Sequence, residues 1–239
     1  MAEFLGTKLQ FVELNEQLWR NKINSNFSTL VSSKTVTADY KVDSAPPSGS
    51  SFDNNIIANI TSVAADDGIF IMLPLASEGR KLHIWRKDIT STAVGGQGSL
   101  LTDRHIWIVP YLTSTSNTAL IYGNSKIGGW TAFGNTGTVA TNSLSITAHG
   151  RSSGDLIAVP SEDAANTTME FFTVDAVPNV NTITLDASVT NAATSKTCYY
   201  MTQANTVDLT YTIAAARNSG LNIVMMCDGT YWHGGLLDN

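Results

Sequence analysis

GIFIMLPLASEGRKLHIW, residues 68–85, contains two short apolar runs separated by turn-forming residues. The runs, residues 68–73 and 81–85, are rich in aliphatic, β-branched and aromatic side chains, and each is too short for a typical helix. Pro74 closes the first run, and Gly79 turns the chain into the second. The stretch therefore predicts two β-strands joined by a short turn.

The same pattern recurs through most of the chain. Short strand-like runs with turn signals about every ten residues are typical of a β-sandwich or barrel, and not of alternating β-α units. Further predicted strands are residues 36–42, 55–60, 105–109, 118–122, 143–147, 155–159, 170–174, 182–185, 198–201, 208–213 and 221–227. The last is apolar on both faces apart from Asn222, which predicts a central strand covered on both sides. We expect an all-β protein of short β-sandwich or barrel modules with one N-terminal amphipathic helix.

That helix is predicted between residues 14 and 31, where apolar side chains recur at three- and four-residue steps. The apolar stripe consists of Leu14, Leu18, Trp19, Ile23, Phe27 and Leu30. The stripe either packs on its own domain or binds a partner. Strand-like sequence begins soon after Ser33, which leaves the helix at one end of the molecule and favours attachment to a partner.

The pattern divides the chain into three parts. Residues 1–33 are the predicted attachment segment, residues 34–137 and 204–239 a discontinuous β domain, and residues 138–203 an inserted small β module. A module of roughly 65 residues buries only a limited core by itself, so association with neighbours would stabilise it.

Composition excludes several classes of function. Only 14% of the residues are charged, against about 25% in a typical domain, and the net charge is −6. Because no dense cluster of Lys and Arg is present, we expect no nucleic-acid binding. A hydrophobic share of 43% argues against disorder. We also expect no membrane insertion, since no run approaches the ~18 apolar residues of a spanning helix and no signal-peptide pattern follows Met1.

Candidate chemistry is sparse in the sequence. Cys198 and Cys227 form no CxxC pattern and are expected to be small buried hydrophobic residues, with a single disulfide between them as the alternative. The four histidines show no metal-binding spacing. The acid pairs at residues 66–67 and 162–163 lie in a polar context typical of solvated turns, not of a glycoside-cleaving site. We therefore predict no enzymatic activity, no cofactor and no metal.

Two local features carry more specific expectations. Trp130 follows Gly128 and Gly129, which cannot shield it, so it is the best candidate for an exposed aromatic that stacks on a sugar. Aromatic side chains on strands belong more often to a core or an interface. Asp228-Gly229 predicts a β-hairpin with a type I′ turn.

Three stretches of the chain resemble bacteriophage virion structural proteins. Residues 37–40, 69–74 and 79–87 are similar to the strand succession of a β module common in phage tail proteins, and residues 220–232 to its closing element. Segments within residues 146–185 are similar to a small β module that often occurs as an insert in phage structural proteins. The predicted N-terminal helix also looks like the attachment segments of such chains.

The resemblance implies a non-enzymatic virion component, made in the host cytoplasm and attached to other virion proteins through its N-terminal segment. Two placements stay open: the length favours a capsid decoration (cement) protein, and the helix favours a short tail fibre or adaptor. Phage accessory proteins of this kind are commonly trimers, so the resemblance also implies a homotrimer. The alternative is a module of a tail fibre or spike that binds a host surface glycan, with Trp130 in contact with the sugar.

Overall fold

The structure is a computed structural model. It describes residues 33–42, 55–64, 67–76, 80–87, 104–112, 120–122, 125–161, 169–208 and 222–236. Strands account for 56% of the described residues, and no α-helix occurs among them, so the predicted all-β class is confirmed. The predicted N-terminal helix, with its stripe from Leu14 to Leu30, lies outside the described residues.

The described residues form nineteen strands and one 3₁₀ turn, at Gln203–Asn205. The first eight strands are β1 (Lys34–Val36), β2 (Tyr40–Lys41), β3 (Asn55–Asn59), β4 (Gly68–Met72), β5 (Lys81–Lys87), β6 (His105–Val109), β7 (Leu120–Tyr122) and β8 (Ser125–Gly128). The next eight are β9 (Thr131–Ala132), β10 (Gly137–Ala140), β11 (Ser143–Ser145), β12 (Leu156–Pro160), β13 (Met169–Asn179), β14 (Thr182–Leu185), β15 (Ala193–Lys196) and β16 (Tyr199–Met201). The last three are β17 (Val207–Asp208), β18 (Asn222–Cys227) and β19 (Trp232–Leu236).

These strands pair into three sheets. The seven-stranded sheet has the order β1-β3-β5-β18-β19-β7-β8, and the four-stranded sheet the order β17-β6-β4-β2. The eight-stranded sheet has the order β15-β10-β11-β14-β13-β12-β16-β9, so it uses only residues 131–201. The other two sheets combine strands from both sides of that segment. The eight-stranded sheet begins before residue 138, because Thr131 in β9 pairs with Tyr200 in β16.

The four-stranded sheet lies at the centre of the larger hydrophobic core. Its strands β4 and β6 bury side chains on both faces, and these join one cluster with Ile84 and Ile223 of the seven-stranded sheet. The same cluster includes Met169 and Met201 of the eight-stranded sheet. A strand covered on both faces has a continuous apolar sequence, which explains why β4 and β6 do not alternate.

The eight-stranded sheet encloses a second core, which includes Leu144, Ile157, Phe172 and Ile183. Its longest strand, β13, pairs with both β12 and β14. The register between β13 and β14 shifts twice, as at β-bulges, which bend a strand and increase its twist. The two halves of the sheet therefore share β13.

Strand β18 is central, but it is not covered on both sides. It pairs with β5 and β19, as expected for a central strand. Ile223 and Met225 are buried, whereas Met226 is 48% exposed. The expectation of full coverage is wrong, because alternate side chains of β18 point away from the four-stranded sheet.

The hairpin predicted at Asp228-Gly229 is present between β18 and β19, with a different turn. The N–H of Asp228 donates to the carbonyl of Tyr231 at 3.2 Å, so Gly229 and Thr230 are the two central residues. Gly229 has a φ of 96°, and Thr230 has no positive φ. Positive φ at the first central residue alone is the pattern of a type II′ turn, so the type I′ expectation is wrong.

Candidate functional site

Two large apolar side chains are exposed on the same face of the seven-stranded sheet, one on each of the paired strands β5 and β18. In β5, Leu82 and Ile84 point into the core, and Trp85 points outward with 50% of its surface exposed. In β18, the outward Met226 is 48% exposed. We call the surface formed by Ile57, His83, Trp85, Val224 and Met226 the outer sheet face.

Strand register places these side chains on one face of the sheet, with Trp85 opposite Asn222 and Met226 opposite Lys81. Ile57 lies opposite Trp85, and His83 lies opposite Val224, so each pair shares a face of the sheet. The ring centroids of His83 and Trp85 are 4.6 Å apart. Burial lowers the pKa of His83, which keeps its imidazole neutral at neutral pH. The centre of the outer sheet face is therefore uncharged.

Charged groups border this apolar centre. Lys81 and Lys87, at the two ends of β5, are both exposed. On the neighbouring hairpin, Nε2 of His233 lies 2.6 Å from Oδ2 of Asp228. Hydrogen bonds from the backbone N–H of Tyr231 and from His233 lower the pKa of Asp228 to about 2, so its carboxylate is ionised. The border thus carries two lysines and one paired carboxylate.

Trp130 is not part of an exposed surface. Its side chain is only 3% exposed, and its Nε1 donates to the carbonyl of Pro110 at 3.3 Å. Its ring centroid lies 5.4 Å from that of Phe171. The expectation that flanking glycines leave Trp130 exposed is wrong, because residues distant in sequence cover it. In this conformation it offers no face to a sugar.

The stripe from Leu14 to Leu30 lies outside the described residues. So do Asp66 and the acid pair at residues 162–163, while Asp67 is described and exposed.

A cleft of about 390 Å³ lies between the four-stranded and eight-stranded sheets. Asp39 and Phe70 line it on one side, and Glu170 and Phe171 line it on the other. The Asp39 carboxylate accepts the N–H of Phe70 at 2.9 Å, and Glu170 accepts the N–H of Thr190 at 2.8 Å. Both acids therefore serve as acceptors for backbone donors of the fold.

Asp39 has an unusual proton affinity in this cleft. The residue keeps exposed surface, but desolvation of its carboxylate raises its pKa to about 6. The backbone N–H of Phe70 opposes this shift, and the negative charges of Asp186 and Asp67 add to it. Desolvation also raises the pKa of Asp186. Sequence reasoning missed this group, because its members come from separate strands and loops.

A buried carboxylate–imidazole pair joins β17 to β6. The side chain of Asp208 is 3% exposed, and its Oδ2 lies 2.6 Å from Nδ1 of His105. Its Oδ1 accepts the N–H of Ile106 at 3.1 Å. The His105 ring stacks on Trp107 at 5.1 Å. Since the two partners are far apart in sequence, no local motif could have predicted the pair.

Both cysteines are free and buried, as predicted. Cys198 belongs to the core of the eight-stranded sheet, and Cys227 belongs to the larger core. Burial raises the pKa of the Cys198 thiol to about 12. A thiol that stays protonated at neutral pH is a poor nucleophile.

No protein-family model matches the chain, and no curated protein matches it. Within the described ranges, no helix is long and apolar enough to cross a membrane. The same residues contain no group of three or more His, Cys, Asp or Glu that could hold a metal ion.

Proposed function

We propose that the chain is a non-enzymatic structural component of a bacteriophage virion, an exposed accessory protein attached to the particle through residues 1–33. The observation that carries the proposal is the outer sheet face, where Trp85 and Met226 remain about half exposed. Each exposed apolar Å² forgoes about 25 cal/mol of burial free energy, which a covering neighbour would recover. A virion subunit has neighbours that can cover such a surface.

The polar surface of the chain supports the same proposal. The outward positions of the eight-stranded sheet are largely Ser and Thr, as at Ser143, Ser145 and Thr184. Neutral hydroxyl groups cost less to remove from water than charges do, so such strands can be packed against neighbours. With 14% charged residues in the whole chain, few charges oppose close packing.

The proposed lack of catalysis is supported by the hydrogen bonds of the acidic side chains and by the protonation of the Cys198 thiol. Asp39, Glu170 and Asp208 accept hydrogen bonds from backbone N–H groups, and Cys198 is held as a thiol. These contacts support the proposal, because they engage groups that a hydrolase could use as nucleophile or base.

The experiment that tests the proposal is the copy number of the chain in purified particles. Particles made from the genome that encodes the chain are banded in a density gradient, and the chain is quantified by mass spectrometry against the major capsid protein. Hundreds of copies identify a capsid decoration protein, and a few to tens identify a short tail fibre or adaptor. Absence of the chain from the particles overturns the proposal.

Deletion of residues 1–33 tests the attachment in the same particles. We expect the truncated chain to be absent from the gradient band and to keep a β-type circular dichroism spectrum. If it remains attached, residues 1–33 are not the anchor. A matched control is the full-length variant Val180→Ser, which changes an exposed side chain outside residues 1–33.

The alternative function, binding of a host surface glycan, now depends on Trp85. This is the exposed tryptophan of the described residues, and exposed aromatic rings are common stacking surfaces for sugars. A glycan array probed with the wild type and with Trp85→Ala tests this alternative. No binding by the wild type, or equal binding by both proteins, removes it.

A further inference from the structure

We propose that the peptide between Asp67 and Gly68 is a site of spontaneous covalent modification, at which Asp67 isomerises to isoaspartate through a cyclic imide. The chain contains two Asp-Gly pairs, at residues 67–68 and 228–229, and sequence alone gives both the same reactivity. Their carboxylates are placed differently in the structure, and only the first is arranged to react. The inference is independent of the proposed function, because it concerns the chemistry of the chain itself.

The first observation is the contact between the two groups that must join. The backbone N–H of Gly68 donates to Oδ1 of Asp67 at 2.7 Å. Because Oδ1 is bonded to Cγ, this contact brings the nitrogen close to the carbon that it attacks. Reacting groups that are held close together react much faster than groups that must first meet. Asp67 is also exposed, so water reaches the imide that forms.

Strand pairing holds this peptide in place. The carbonyl of Asp67 accepts the N–H of His105 at 2.9 Å, and Gly68 lies opposite His105 where β4 pairs with β6. A Cβ atom at residue 68 would lie 2.5 Å from the carbonyl oxygen of His105 and 2.7 Å from the Trp107 ring. The close approach of β6 therefore requires glycine at this position, and glycine shields its own nitrogen least.

The carboxylate of Asp228 is held away from the nitrogen of Gly229. Its Oδ1 accepts the N–H groups of Thr230 and Tyr231, each at 2.7 Å. The N–H of Gly229 donates instead to Sγ of Cys227 at 3.4 Å. The hydrogen bond from Tyr231 contributes most to lowering the pKa of Asp228 to about 2, and an ionised carboxylate is a poor electrophile. Asp228 must therefore give up its partners before it can react.

The reaction needs no reactant other than water. The nitrogen of Gly68 forms a bond to Cγ of the protonated Asp67 carboxyl group, the C–OH bond breaks, and the amide proton leaves with the hydroxyl as water. A water molecule then adds to the α-carbonyl carbon of the imide, and the bond from that carbon to the Gly68 nitrogen breaks. The main chain afterwards runs through Cβ and Cγ of residue 67, which carries a free α-carboxylate. No electrons are gained or lost.

Isomerisation changes the start of β4. The main chain becomes longer by one methylene group, and the former carbonyl of Asp67 becomes part of a free carboxylate. The N–H of His105 thereby loses the acceptor that strand pairing holds in place. Because β4 contributes to the larger hydrophobic core, we expect modification at residue 67 to destabilise the fold.

The test compares the two Asp-Gly pairs within one sample. The full-length chain is incubated for weeks in mildly acidic buffer at physiological temperature and is then digested with trypsin. Cleavage after Lys41, Arg80 and Arg217 places the two pairs in different peptides, and electron-transfer fragmentation identifies isoaspartate in each. We expect at least about ten times more isoaspartate at residue 67 than at residue 228, which corresponds to about 1.4 kcal/mol of activation free energy.

Two controls separate the effect of structure from that of sequence. In guanidinium chloride both carboxylates lose their contacts, so the two residues should form isoaspartate at similar rates. Asp67→Glu keeps the charge but would need a larger, less favourable imide ring, so modification at residue 67 should disappear. Its matched variant, Asp228→Glu, should leave the modification of Asp67 unchanged.

Three results overturn the proposal. One is a folded chain in which the two residues form isoaspartate equally, and another is a folded chain with more isoaspartate at residue 228. The third is a folded chain that forms no isoaspartate at residue 67.

Calorimetry of the incubated samples tests the consequence for the fold. The wild type should have a lower Tm after incubation than before it, whereas Asp67→Glu should keep its Tm. A wild type that contains isoaspartate at residue 67 and has an unchanged Tm overturns the expected destabilisation of β4.

Discussion

The carboxylate of Asp208 accepts two hydrogen bonds from the β6 region while almost fully buried. Asp208→Ala leaves the N–H of Ile106 and Nδ1 of His105 without this acceptor. We expect the free energy of unfolding to fall by about 2–4 kcal/mol, because unsatisfied buried donors are costly. Asp208→Asn keeps an acceptor for the N–H of Ile106, so its free energy of unfolding should fall clearly less. Urea titration followed by fluorescence measures both variants.

The control for this prediction is Asp175→Asn, which removes an exposed carboxylate and should change stability by less than about 0.5 kcal/mol. If Asp208→Ala is as stable as this control, the buried pair does not stabilise the junction of β17 and β6.

The raised pKa of Asp39 predicts how the free energy of unfolding depends on pH. Its pKa is about 6 in the folded chain, above the ordinary value of 3.8, so the folded state holds this proton more tightly than the unfolded state. Stability therefore falls as pH rises from about 4 to about 6, and Asp39→Asn should flatten that fall. Because Asp39 is exposed, solvent screening limits the difference to on the order of 1 kcal/mol. The measurement is the free energy of unfolding in urea at pH 4, 5, 6 and 7.

Asp228 provides a control, because its pKa is shifted in the opposite direction to that of Asp39. Its pKa is lowered to about 2, so its contribution to stability is present above pH 4 and is lost as pH falls toward 2. Asp228→Asn should change the slope of the profile only in that acidic range, measured down to pH 2, and should lower stability by a constant amount above pH 4. An unchanged profile between pH 4 and 6 for Asp39→Asn would show that its carboxylate is not desolvated.

At the scale of single elements, the turn between β10 and β11 contains local strain. Thr141 has a φ of 56°, a left-handed conformation that costs a β-branched residue about 1–2 kcal/mol. Glycine removes this strain, but it lowers the free energy of unfolding by about 0.5–1 kcal/mol because it loses more conformational entropy on folding. Thr141→Gly should therefore raise the free energy of unfolding by about 0.5–1 kcal/mol, visible as a higher Tm in calorimetry.

Ala140→Gly is the matched substitution one residue earlier. Ala140 is an exposed strand residue without a positive φ, so glycine there should lower stability by about 0.5–1 kcal/mol. If both variants lower the Tm, the turn does not hold Thr141 in a strained conformation.

The elements also show what sequence can and cannot predict in this chain. Period-two alternation and flanking turn residues predicted β14 at residues 182–185, because those signals are local. The pairing of β5 with β18, in which Ile84 lies opposite Ile223, joins distant segments and left no local signal. Apolar content likewise did not reveal that Met226 is exposed, since that depends on which layers cover the strand.

The candidate site was less predictable than the strands. The prediction for Trp130 considered only its neighbours in sequence, whereas Phe171 and Pro110 cover it in space. A usable signal for the outer sheet face was present in β5. Leu82 and Ile84 alternate there with His83 and Trp85, and such alternation indicates one buried and one outward face.

At the scale of the whole molecule, Phe171 makes two aromatic contacts between the eight-stranded sheet and the larger core. Phe171 in β13 lies 5.6 Å from Phe70 of the four-stranded sheet and 5.4 Å from Trp130, measured between ring centroids. Such contacts couple the stability of the two cores. We expect the wild type to unfold in one calorimetric transition whose calorimetric and van't Hoff enthalpies agree.

Phe171→Ala should uncouple the two cores and should also lower the free energy of unfolding. The loss of a packed aromatic side chain costs about 3 kcal/mol of the free energy of unfolding. Without it, the eight-stranded sheet keeps its own core but makes fewer contacts with the four-stranded sheet. We therefore expect two calorimetric transitions. The neighbouring Phe172 points into the second core, so Phe172→Ala should lower the Tm by a similar amount and keep a single transition. If both variants unfold in one transition, coupling between the cores comes from the shared backbone and not from the aromatic contact.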